Sequence, residues 1–413
     1  MFSLTALTSL ATALTLVEHE YGMDHTQIDD GTMYEPHVQV PPTDPSYAEG
    51  YFLHADAEGL DQAQCLDGSA PLYYHRKGTG SGANKWFIHQ QGGGWCYDLA
   101  SCVERSTGAL GSTKASPGNS SLNSGYTSLD PAQNPLMYNW NSIEVRYCDG
   151  ASVSGDKKGA TNVSGTNLMF RGRAILDAEI KSILNDRGMN KASDVIVSGC
   201  SAGGLATYLH CDHWAAAIAT ATTAANGNGA AAKVACMPDS GFFLDEDRSP
   251  LYGSKMRNVY AFQASSSAGL NAACVAAHTA SGDPEKCIFA QWTSQHIVTP
   301  TFPMQSQYDS WQSGNVMGDG AGDGNMTVNE NEFGQNLTGL VESLFLAGKS
   351  QHGIWLDSCH HHCGAWNGPV ISGTNSSYAL QSWYNKDSAL QHGGFYNQAR
   401  PFPCEACCSG DGN

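Results

Sequence analysis

The residues best suited to covalent chemistry lie in Asp194-Val-Ile-Val-Ser-Gly-Cys-Ser-Ala-Gly-Gly204. Here Gly199-Cys200-Ser201-Ala202-Gly203 has G-x-S-x-G spacing, at its one occurrence in the chain. A β-branched run leads in and a helix-prone stretch, Leu205 to Leu209, leads out. That is the strand-turn-helix setting in which a serine hydroxyl projects above a sheet as a nucleophile for acyl transfer. The turn is tight and strained, so bulky side chains beside the serine would clash, and the helix N-terminus behind it favours developing negative charge. The bland alternative is a structural Gly-rich turn, in a chain that holds 46 glycines.

Acyl transfer also needs donors for the oxyanion. Gln91-Gly92-Gly93-Gly94-Trp95 directly follows a candidate strand, and glycines let backbone N–H groups face a substrate oxygen without obstruction. The N–H groups of Gly93, Gly94 and Ala202 are the nominees. An acid and a histidine should follow the serine in chain order, after later strands. Asp309 stands just past a candidate strand ending near Met304, and Cys359-His360-His361-His362-Cys363 follows another at Ile354–Leu356. Asp239, Asp245 and Asp357 compete as acids, and residue type alone does not choose among His360, His361 and His362.

Three adjacent histidines also suggest a metal, but consecutive side chains diverge, whereas zinc needs ligands converging from separated positions. The expectation is no metal. Asp319-Gly-Ala-Gly-Asp323-Gly-Asn325 partly matches a calcium loop, yet Ala321 occupies a ligand position and the segment reads as an acidic surface loop. The mechanism requires no cofactor.

The elements that must position these groups alternate along the chain. Candidate strands are Trp86–His89, Ile143–Tyr147, Val195–Ser198, Ile297–Met304 and Ile354–Leu356. A helix is expected from about Phe170 to Arg187, with Leu176, Ile180, Ile183 and Leu184 on one face and Gly188 as the stop. The Ala-rich run from 215 to 232 reads as a helix followed by an exposed loop around Asn226-Gly-Asn-Gly229. The pattern predicts an α/β fold of the α/β-hydrolase type, a mostly parallel sheet with helices on both faces. The sequence divides into a signal-peptide core at 1–17, a single esterase domain at 45–400 and a Cys-containing tail at 401–413.

Composition narrows the setting. Fourteen cysteines permit seven disulfides, far more sulfur than a reducing cytosol leaves unpaired, so the chain reads as secreted and extracellular. The apolar stretch from Phe2 to Val17 agrees, and is too short to span a membrane. Sequons stand at Asn119, Asn162, Asn325, Asn336 and Asn375. With 21 basic residues scattered through a chain of net charge −18, nucleic acid is not a partner. No stable membrane insertion is expected, and the protein is expected to be a monomer. A polyanionic substrate would be repelled at long range unless the cleft is locally neutral or basic.

Several ordered motifs carry a more specific resemblance. They are Gly92-Gly-Gly-Trp-Cys96, Arg146-Tyr-Cys-Asp-Gly150 with Ser154-Gly-Asp156, Arg171-Gly-Arg173, Gly199-Cys-Ser-Ala-Gly-Gly204, Asp239-Ser-Gly-Phe-Phe-Leu-Asp245, Tyr308-Asp-Ser-Trp-Gln312, and Ser358-Cys359 with His362-Cys363. From about Cys65 to Cys363 the chain resembles the pectin acetylesterase family, which is related to the Notum carboxylesterases. The resemblance implies a triad of Ser201, Asp309 and His362, because the family histidine directly precedes the second cysteine of the last motif. It also implies removal of acetyl groups from cell-wall pectin. The chain departs from the family at Gln91, usually Glu, and at His360 and His361, usually small or aromatic residues. The near pair Cys96 and Cys102 is expected to bridge the loop after the oxyanion segment. Two other readings stay open: a Notum-like esterase for lipid or small esters, which demands a deep apolar pocket, and a non-catalytic polysaccharide-binding relative.

Overall fold

A computed structural model describes residues 41–54, 62–227, 229–247, 251–266, 268–318, 326–346, 351–386 and 394–408. The segment read as a signal-peptide core at 1–17, and the one read as an acidic surface loop with its sequon at Asn325, lie outside them. Among the described residues the strands are β1 Tyr47–Phe52, β2 Leu72–Arg76, β3 Lys85–Gln90, β4 Asn119–Ser121, β5 Asn141–Val145, β6 Thr161–Val163, β7 Thr166–Leu168, β8 Asp194–Cys200, β9 Lys233–Asp239, β10 Met304–Ser306, β11 Ile354–Asp357 and β12 Phe395–Asn397. Ten form one sheet in the order β12-β11-β10-β9-β8-β3-β5-β2-β1-β4, and β6 and β7 form a separate hairpin. From β12 to β5 the pairings are parallel, and β2, β1 and β4 complete the sheet as an antiparallel edge.

Alternation along the central strands supplies both faces with apolar groups, since successive strand side chains point to opposite sides. Trp86, Ile88, Ile143, Val145, Val195 and Val197 enter one core, with Leu205, Tyr208, Leu209 and Trp214 from the helix α3, Ala202–Ala225. The same core takes Ile175, Leu176, Ile180 and Ile183 from α2, Gly172–Asp186. Phe87, Ile196, Ala235, Met237, Met304 and Trp355 enter the opposite core, under Trp140, Trp366 and the C-terminal helix at Ser376–Asn385. Gly188, at φ 92°, ends α2 as expected.

The strand expected over 297–304 is shorter. Pro300 and Pro303 carry no N–H for a ladder, so Thr301 makes an isolated bridge to Cys236 and the strand proper is Met304–Ser306. All fourteen cysteines are paired: 65–148, 96–102, 200–363, 211–236, 274–287, 359–408 and 404–407. The Cys96–Cys102 bridge is thus formed. The segment read as a tail is tied through Cys408 to the loop that carries the three histidines.

Candidate active site

Ser201 occupies the turn between β8 and α3, with φ 59° and ψ −122°. That backbone is costly for an L-residue and is tolerated where surrounding structure enforces it. Here Ser201 N–H donates to Asp239 O at the end of β9, 3.0 Å away, and Ser201 O accepts from Leu205 N–H at 2.8 Å. The glycines are obligatory: a Cβ on Gly199 would sit 2.2 Å from Gly203 O, and one on Gly92 would sit 2.7 Å from Cys200 O and 2.9 Å from Ser201 Cβ. Gly92 therefore lets the oxyanion segment lie against the elbow.

Asp309 and His362 meet across two loops. His362 Nδ1 and Asp309 Oδ2 are 2.8 Å apart, and both residues are buried, His362 at 3% exposure and Asp309 at 0%. A carboxylate only accepts, so Nδ1 carries the proton and the lone pair is on Nε2. The remaining acceptor capacity of Asp309 is taken by Gln305 Nε2 at 3.2 Å and Gln312 N–H at 2.9 Å. The competing acids are engaged elsewhere. Asp245 holds Arg257 in a bidentate pair at 2.7 Å, Asp357 faces His361 Nε2 at 2.9 Å, and Asp239 accepts from the Tyr126 hydroxyl and from Ser240 Oγ. His360 is exposed, with its ring edge against Phe402.

Burial opposes the charge of His361, but the carboxylates around it, Asp357 foremost and then Asp239 and Asp309, together push the imidazole from 6.5 up to about 9. Burial raises the Asp239 carboxyl, against which the Tyr126 hydroxyl bond pulls it down. Two groups of potential metal ligands occur among the described residues, Cys274 with His278 and His296, and Asp357 with Cys359 and His361. In each the sulfur belongs to a disulfide and offers no thiolate.

The candidate oxyanion segment is braced by side chains that residue-type reasoning did not single out. Gly93 and Gly94 take φ 132° and 60°. Arg105 Nη2 donates to Gly93 O at 2.6 Å, fixing the peptide plane that aims Gly94 N–H. The Tyr147 hydroxyl donates to Gly94 O at 2.8 Å and accepts from Ser152 N–H at 3.0 Å. Ser152 Oγ in turn donates to Ala202 O at 2.7 Å and accepts from Trp95 Nε1 at 2.8 Å. One loop thus grips the segments carrying Gly94 and Ala202 together, with Ser152 and Val153 both at φ 52°. Gln91 Oε1 accepts from Tyr147 N–H at 3.0 Å, a task that needs only an acceptor and that an amide performs as well as a carboxylate. The Arg146-to-Gly150 motif was the available signal for this loop. The Cys200–Cys363 disulfide, which joins the neighbours of Ser201 and His362, was not readable, because fourteen cysteines leave the pairing open in the sequence.

Two aromatic rings, Phe243 and Trp311, lie beside His362, and Trp95 and Tyr252 pack on them. Trp95 lies 5.0 Å from Phe243 and 5.7 Å from Trp311, Tyr252 lies 5.8 Å from Trp95, and Phe243 and Trp311 are each 6.1 Å from His362.

The sequence matches the family described as Pectinacetylesterase over residues 49–409. Pectin acetylesterase 11 of Arabidopsis thaliana is 34% identical over 367 residues, 83% of this chain and 88% of the relative. Pectin acetylesterase 5 of the same plant is 35% identical, covering 84% of this chain and 82% of the relative. The human palmitoleoyl-protein carboxylesterase NOTUM is 29% identical over 44% of this chain and 34% of its own. The solved structure of the Wnt deacylase Notum from Drosophila superimposes with a TM-score of 0.71 at 22% identity, over 87% of this chain and 99% of the other.

Proposed function

The chain belongs to the pectinacetylesterase family, and from that premise and the geometry of the elbow we propose that it hydrolyses acetyl esters of cell-wall pectin, with Ser201 as nucleophile, His362 as base and Asp309 as its orienting acid. It is a carboxylic ester hydrolase. His362 Nε2 takes the Ser201 proton as Oγ attacks the acetyl carbonyl, and the N–H groups of Gly93, Gly94 and Ala202 receive the oxyanion. Collapse of the tetrahedral intermediate transfers the proton to the departing sugar oxygen and leaves an acetyl-serine. Water, deprotonated by the same imidazole, then releases acetate and restores Ser201.

The observation that carries this reading is the 2.8 Å Asp309–His362 bond on a loop that Cys363 ties to the residue before Ser201. A longer acyl chain, as in the Notum relatives, would need a deep apolar space. The rings of Phe243 and Trp311 beside the base, with Trp95 and Tyr252 packed on them, favour a short acyl group instead. Seven disulfides support an extracellular or cell-wall location. No helix among the described residues is long and apolar enough to cross a membrane. The test is labelling with a fluorophosphonate: a single adduct on the Ser201 peptide, formed more slowly in the presence of acetylated pectin, is expected. Absence of labelling at Ser201 overturns the proposal.

A further inference from the structure

The parallel register places a second polar site on the same edge of the sheet as the elbow. Gln90 of β3 pairs with Val145 of β5 on one side and Gly199 of β8 on the other. Arg146 is therefore level with Cys200 and two strand spacings away, about 10 Å. Beside it lies a cavity of about 580 Å³ whose lining includes Asp67, Ser112, Lys114, Arg146, Thr166 and Asn167, but none of the proposed triad. The cavity adjoins the oxyanion segment through one short stretch of chain. Gly108 and Ala109 line it, while Leu110 packs against Gly93 and gives its carbonyl to Arg105 Nε at 3.1 Å.

Arg146 is incompletely satisfied. It is 5% exposed, Nη1 reaches Glu144 Oε1 only at 3.4 Å, and Nε has no acceptor among the described residues. Burial raises the Glu144 carboxyl, against the pull of Arg146, which weakens it as a counter-ion. Lys114 adds a second cation, paired with Asp67 at 2.9 Å. The charged lining is thus two cations against one carboxylate, with Glu144 behind Arg146 bringing the local balance to neutral, in a chain of net charge −18. A buried guanidinium short of acceptors and ringed by hydroxyl and amide groups suits a ligand bearing a carboxylate and several hydroxyls.

We infer that this cavity is a uronate subsite: it holds the carboxylate of an unesterified sugar acid in the chain whose acetyl ester lies at Ser201. The inference rests on the polysaccharide-esterase reading and extends it. It also removes the electrostatic objection to a polyanionic substrate, because the field that matters is local.

The experiment uses the full chain carrying Ser201→Ala and titrates trigalacturonate by calorimetry, with neutral xylotriose and inorganic phosphate in parallel. Saturable binding of trigalacturonate is expected, weakened about tenfold or more by Arg146→Gln and by Lys114→Ala, the scale of one lost charge-assisted bond. Lys114, with its side chain 71% exposed, gives a variant whose folding is not at risk. Trigalacturonate affinity equal in all variants overturns the inference, as does xylotriose binding with the same dependence on Arg146 and Lys114. Phosphate binding as tight as trigalacturonate reduces the site to a simple anion site and also overturns it. The measurement is independent of turnover. Arg146-dependent binding without acetate release from pectin would sink the esterase reading alone, and acetate release without such binding would sink the subsite alone.

Discussion

Cys200 and Cys363 are joined by a disulfide, with 5.9 Å between Cα atoms, and each adjoins a member of the proposed triad, Ser201 on one side and His362 on the other. The loop carrying His362 arrives 163 residues after the elbow, and the disulfide ties it covalently to that turn, beside Cys363 N–H donating to Ser240 Oγ at 2.9 Å, Gly364 N–H donating to Asp239 Oδ2 at 3.2 Å and the Asp309 bond.

The Cys200→Ala/Cys363→Ala double variant should keep its other disulfides and fold, with unfolding free energy lower by about 2–5 kcal/mol. Its kcat on an acetyl ester should fall more than its KM rises, because positioning of the base relative to the nucleophile is lost. Steady-state kinetics and thermal unfolding check both. An unchanged kcat would contradict the positioning role.

Ser152→Ala removes the hydroxyl that links Trp95 Nε1 to Ala202 O, and Tyr147→Phe frees Gly94 O. Each should lower kcat by roughly tenfold or more with little change in KM, less than loss of an oxyanion donor itself. A rise in KM at constant kcat would place these residues in substrate binding instead.

The His361–Asp357 pair has a definite pH signature. The folded pKa of His361 is raised from 6.5 to about 9, so its stabilisation is complete below 6.5 and is lost as pH rises through about 9. Thermal unfolding of the parent and of His361→Gln, from about pH 5 to about pH 10, should show a gap that narrows across that window. A gap that widens with pH would mean that the imidazole is not held as the cation.

Acyl-chain preference follows from the rings packed beside His362. Across acetyl, butyryl and octanoyl esters of one alcohol, kcat/KM should fall by roughly tenfold or more, since each added methylene must displace a packed ring. Octanoyl esters turned over as fast as acetyl esters would favour a lipid-like substrate.

Part of the sheet was legible because β3, β8 and β11 are short apolar runs flanked by turn residues and β5 shows Ile143 and Val145, and α2 carries its apolar side chains at helical spacing; β1, β2, β4, β9 and β12 were not read as strands. The run at 297–304 misled because its apolar residues are interleaved with Pro300 and Pro303, which pack without completing a ladder. Among candidate site residues, the elbow was visible from glycine spacing, while choosing among three histidines required the family resemblance. Geometry separates them: His362 faces Asp309, His361 faces Asp357, and His360 is exposed. The supports of Gly94 were not readable, because they depend on a loop that returns Tyr147 and Ser152 beneath a segment over 50 residues earlier.

The central claim is tested most directly by acetate release from acetylated pectin, with acetylated xylan in parallel, by the purified protein and by Ser201→Ala. Acetate from pectin, absent in the variant and much slower from xylan, is predicted. Release from pectin that persists at the parent rate in a folded Ser201→Ala protein would contradict the account, and so would no release from pectin by the parent.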